Sequence, residues 1–93
     1  MSVVTGDPAA MRAAAAQLRF RAETVGATVA TVDGGVAGMT YAGPAADAFR
    51  NQIATASRTL RDVSVRMTSV ADRLSREAAV VEAQLLQLAR EQR

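Results

Sequence analysis

Tyr41-Ala42-Gly43-Pro44 divides the chain into two long stretches in which apolar residues recur at alternating steps of three and four. Before it the series is Met11, Ala15, Leu18, Ala22, Val25, Val29, Val32, Val36, Met39. After it the series is Phe49, Ile53, Ala56, Leu60, Val63, Met67, Val70, Leu74. Such steps average to the period of a helical seam. A short connection between two seams folds the second helix back along the first. The fold class is therefore all-α: an antiparallel two-helix hairpin, one domain over residues 1–93, with helix one about 8–38, a turn about 39–43 and helix two about 44–91. The expected hairpin seam is Leu18, Val25, Val29 and Val32 against Phe49, Ile53, Leu60, Val63, Met67, Val70 and Leu74.

Local signals agree with these bounds. Asp7 can accept from the free N–H groups of a first turn, and Pro8 suits the first helical position because its missing N–H has no partner there. Ala13 to Ala16 have the highest helix propensity available, whereas Gly26 interrupts the helix at a cost of about 1 kcal/mol against Ala. We read Gly26 as a point of close helix approach. Asp33-Gly34-Gly35 weakens the end of helix one; Gly43 and Pro44 open helix two, which then meets no Gly or Pro.

Composition removes several classes of function. A 93-residue hairpin has no closed core and needs a staple. Without Cys there is no disulfide or thiolate site, and without His the commonest metal ligand and general base is missing. No metal, cofactor or catalytic residue is expected, and association is the staple that remains. The 11 basic residues and 9 acids are interspersed, so no basic stripe for nucleic acid appears. Arg58, Asp62 and Arg66, like Asp72 and Arg76, stand four apart and are expected to form ladders on an exposed face. Met1 to Thr5 lacks the basic start of a secretory signal, and no apolar run reaches the length of a membrane span. Binding to a membrane surface is disfavoured because the polar faces carry acids as well as Arg.

The chain resembles the WXG family, small ESAT-like hairpins handled by type VII secretion systems. Tyr41, Ala42 and Gly43 stand where that family has Trp, any residue and Gly, and Pro44 to Arg50 resembles the start of its second helix. The chain departs in having Tyr for Trp. It also lacks a tail signal of Tyr followed four residues later by an acid, because Tyr41 is its only tyrosine. The resemblance implies synthesis in the cytoplasm, export without a cleaved signal peptide, and a four-helix-bundle dimer. The implied partners are a second copy or a related hairpin, and a type VII secretion ATPase. It makes Tyr41 and Gly43 candidate recognition residues; the residues alone support an aromatic lid and a tight turn. Arginine as the sole basic residue, with abundant alanine, fits a GC-rich coding sequence such as an actinobacterial one.

Helix two is the longer, and helix one is expected to reach back to about Ser75. Two four-residue steps meet at Leu74, a stutter in the seam. Beyond it Val81, Leu85 and Leu88 are expected to overhang and to pack on a partner. Ala13, Ala16, Ala27 and Ala30 beside Phe20 leave room for a second hairpin, and Phe20 is either an edge of the core or a partner anchor. Asp47 and Arg50 are read as a surface pair. The function expected is a secretion-system interaction protein; the alternative is a cytoplasmic coiled-coil adaptor.

Overall fold

The computed structural model describes residues 6–92, so the Met1–Thr5 segment lies outside the described residues. Two helices make the architecture: α1, Pro8–Ala37, and α2, Pro44–Glu91. The extended backbone of Asp7 lets its carboxylate accept from the Ala9 N–H at 3.0 Å, and Pro8 follows as the first helical residue. α1 closes at Gly38, whose N–H donates to the Gly34 carbonyl at 3.1 Å, while Met39 N–H donates to Val36 at 3.2 Å. These bonds occupy carbonyls that the helix end would otherwise leave free.

The helices run antiparallel in a rod of 75 × 17 × 12 Å. Cross-helix contacts trace the register. Near the open end Gly6 faces Val81 and Arg12 pairs with Glu82. Further along, Arg19 meets Asp72 and Ser75, and the Ser64 hydroxyl donates to the Ala22 carbonyl at 2.9 Å. Closest to the turn, Ser57 donates to Asp33 at 2.6 Å.

Small side chains fill the buried line between the helices: Ala15, Ala22 and Val29 from α1, and Ala46, Ser57, Ala71, Ala78 and Val81 from α2. Methyl-sized groups let the backbones approach, but each buried carbon of this kind contributes only about 0.8 kcal/mol, against about 1.5–3 kcal/mol for a buried Val or Leu. Ser57 and Ser64 fit the narrow gap because their hydroxyls find acceptors on α1. A buried hydroxyl without an acceptor would cost more than its small size gains.

This line corrects the expected seam on α2. Phe49, Val63 and Val70 are 43%, 41% and 50% exposed, and Leu60 and, on α1, Val32 are also exposed. Ile53, Met67 and Leu74 are half-buried. The cause is a pair of overlapping heptad series on α2. One runs Ala46, Arg50, Ile53, Ser57, Leu60, Ser64, Met67, Ala71, Leu74, Ala78, Val81; the other replaces its alternate members with Phe49, Ala56, Val63 and Val70. They lie about 50° apart on either side of a shared row, at half a residue's turn in a 3.5-residue period. The small, hydroxyl-bearing series faces α1 and the bulky one looks away. The inner series passes Leu74 with alternating steps, so the expected stutter disappears.

A second correction concerns the overhang. α1 reaches past Ser75, because the Arg12–Glu82 pair and the contact of Gly6 with Val81 lie beyond it. Val81 is only 8% exposed and belongs to the hairpin interior rather than to a free tail. The charged ladders also differ from expectation. The ion pairs among the described residues join Arg12 to Glu82, Arg19 to Asp72, Arg61 to Asp33 and Arg50 to Asp47; three of the four cross between the helices or their ends instead of following one helix face. At Gly26 an added Cβ would meet no atom within 4 Å, so no close approach occurs there within the hairpin.

Candidate interaction surface

The turn is organised by a residue whose role its spacing did not reveal. Arg50, half-buried in the first turns of α2, donates to the Met39 carbonyl at 3.3 Å and to the Tyr41 carbonyl, and pairs with Asp47 at 3.6 Å. Its guanidinium thus ties the end of α1, the connection and the start of α2 together. The planar fork of Arg suits this task because several donors leave one rigid group in different directions. Asp47 and Arg50 are a pair, yet the larger work of Arg50 is on backbone carbonyls that a reading of helix spacing cannot place.

Gly43 caps α2 with φ 114° and ψ 174°. This region of backbone space is essentially confined to glycine, and another residue there costs on the order of 1–3 kcal/mol. A Cβ would meet nothing within 4 Å, so the requirement for Gly lies in the backbone angle and leaves the position open on its outer side. Tyr41 is 59% exposed, so its ring is presented at the tip rather than closed over the helix ends. Tyr41 and Gly43 therefore stand as an accessible aromatic and bare backbone, fixed by Arg50.

The second feature is a long apolar side. Helical spacing puts Phe49, Ala56, Val63 and Val70 on one side of α2, next to the shared row of Ile53, Leu60, Met67 and Leu74. On α1 the matching side holds Leu18, Val25 and Val32. Met67 joins Phe20, Val25, Ala16, Gln17, Arg21 and Thr24 around a shallow groove that shows the two helices sharing this side. Phe20 is 69% exposed, which excludes it from the intramolecular core. Toward the end of α2, Leu85 and Leu86 are exposed and Leu88 is half-buried.

The opposite side is polar. Arg12, Arg19 and Asp33 of α1 reach Glu82, Asp72 and Arg61 of α2 across it. Among the described residues no group of His, Cys, Asp and Glu is placed to hold a metal ion, and no helix is long and apolar enough to cross a membrane. The arrangement offers surfaces rather than convergent chemistry.

Compared with known proteins, the chain matches over residues 4–90 the family model described as proteins of 100 residues with WXG. No curated protein and no solved structure matches the chain.

Proposed function

The chain belongs to the WXG100 family, and from that premise we propose that it pairs through its apolar side with a second hairpin, itself or a related one, to form a four-helix bundle. The family is associated with type VII secretion, its members are secreted helical proteins without enzymatic activity, and they typically pair with related members. In this reading the chain is a substrate or an escort of such a system, and its secretion ATPase is a further partner. The observation that carries the pairing is the exposure of Phe49, Val63 and Val70 in a hairpin that has already filled its own seam with Ala and Ser. Leu85, Leu88 and Phe20 extend the contact, whereas Val81 stays inside the hairpin.

Tyr41 and Gly43 act as the turn half of a recognition surface. Exposure of the Tyr41 ring and the open space at Gly43 support this role. In this reading the partner supplies the tail half of that surface. The test is export of Tyr41→Ala alongside its thermal melt. Export should fall several-fold while the melting temperature stays within a few degrees, because an exposed ring contributes little to the helix seam. Unchanged export would remove the recognition role, and export of the chain in a strain lacking every related hairpin would remove the escort role. Confinement to the cytoplasm under all conditions would favour the adaptor reading.

A further inference from the structure

We propose that the apolar side is made for a hairpin with acidic flanks, and that a second copy of this chain is a poor occupant. The proposal rests on the pairing reading above and adds the chemistry of the partner. On α2 the row bordering Ala56, Val63 and Val70 carries Gln52, Thr59, Arg66 and Arg73. On α1 the row bordering Leu18 and Val25 carries Ala14, Arg21 and Thr28. The middle of the apolar side is thus bracketed by Arg21 from one helix and by Arg66 and Arg73 from the other. Arg21 itself borders the groove beside Phe20, Val25 and Met67.

None of these three arginines makes an ion pair among the described residues, whereas Arg12, Arg19, Arg50 and Arg61 all do. Four of the acids are engaged elsewhere: Glu82, Asp72 and Asp33 serve the opposite side and Asp47 serves the turn. Two acids lie near this stretch, Glu77 in line with Val63 and Val70 and four residues from Arg73, and Asp62 four residues from Arg66 but farther from the stripe; against three arginines they leave an excess of positive charge. A second copy would lay one arginine-lined stripe along another, and like charges at an interface oppose encounter and pairing. Carboxylates at the same places would receive each guanidinium through charge-assisted, two-point hydrogen bonds. The apolar stripe supplies contact area and the arginine flank selects which hairpin may use it.

The partner is unidentified, so the probe is a recharged form of this chain, Arg21→Glu/Arg66→Glu/Arg73→Glu, which keeps the apolar stripe and reverses the flank. Association of wild type with itself, and of wild type with the probe, is measured by sedimentation at low and high salt, with helix content checked by circular dichroism. The mixed pair should form at least about tenfold more tightly than the wild-type pair at low salt, since several charge contacts change sign together. High salt should erase most of that difference. A triple Arg→Gln variant, which removes repulsion without reversing charge, should self-associate more tightly than wild type and decides the matter if the Glu probe does not fold. A wild-type pair as tight as the mixed pair and as the Gln pair overturns the proposal while leaving hairpin pairing intact, as does a preference that salt does not alter. Absence of association in every combination overturns the pairing reading itself.

Discussion

Along one side of the hairpin Arg12 meets Glu82, Arg19 meets Asp72 and Ser75, and Asp33 meets Ser57 and Arg61. Along the other, Phe49, Val63 and Val70 stand open to water and Arg21, Arg66 and Arg73 take no part in an ion pair among the described residues. The two sides use the same helices in the same register, so propensity and length do not separate them. What separates them is how far each has been satisfied inside the chain. The polar side has its cross-helix partners and exposed ion pairs that contribute little stability each. The apolar side has large aliphatic and aromatic groups without a cover. A surface that is complete and one that is incomplete, set on one rod, point to a protein whose remaining free energy is gained in association.

The largest effect should come from the line that both sides share. Ala71 is fully buried between the helices, so Ala71→Asp places a charge where no partner waits. Loss of about 3 kcal/mol or more is expected, seen as loss of the cooperative melt at any protein concentration. A variant that melts like the parent would show that the helices do not meet along Ala71.

Val63→Asp distinguishes the apolar side from that line. Val63 is 41% exposed, so a carboxylate there remains hydrated in the single hairpin and should cost its helices less than about 1 kcal/mol. In an assembled bundle the same group would be buried, with a penalty of about 2 kcal/mol or more. Melting temperature should therefore depend on protein concentration in the parent and much less in the variant. Equal losses at high and low concentration would return Val63 to the hairpin interior.

Gly26 lies over a gap on the polar side lined by Arg19, Glu23, Ser64 and Thr68. Since an added Cβ meets nothing within 4 Å, Gly26→Ala should stabilise α1 by up to about 1 kcal/mol without altering association. A destabilising outcome would mean that another chain approaches there. Smallest of all should be Arg12→Ala, which removes an ion pair whose side chains are 48% and 50% exposed. The expected loss is about 0.2–1 kcal/mol, shrinking with added salt, and a larger loss would assign the polar side more of the hairpin's stability than exposed pairs supply.

Much of this is legible in the sequence. The Asp7-Pro8 start, the glycines ahead of the turn and the unbroken run after Pro44 are local signals, and local hydrogen-bond chemistry decides helix ends. The apolar series on α1 also pointed inward for Ala15, Ala22 and Val29. On α2 bulk alone points to Phe49, Val63 and Val70, which face away. Size was the wrong criterion there. Ser57, Ser64, Ala71 and Ala78 carry little hydrophobic signal; the alanines fit the interior by their small size, and the serines only because α1 holds acceptors for their hydroxyls. Arg50 was likewise visible as one half of a helical pair, but its contacts with the carbonyls of Met39 and Tyr41 span a connection whose path no periodicity describes.

The sequence by itself determined two helices, their antiparallel return, the glycine at their junction and the absence of the side chains that metal or nucleophilic catalysis would favour. Helix period, capping groups and residue inventory are properties of neighbouring positions, and a chain carries them wherever it goes. Only the tertiary structure decided which of two overlapping seams on α2 lies inside, how far α1 reaches, and that Val81 is covered while Val63 is not. The reach of α1 follows from the axial register of the two helices, while the other two outcomes turn on a rotation of about 50° between the overlapping seams. That rotation is settled by how closely two particular helices can approach and whether their buried hydroxyls are met.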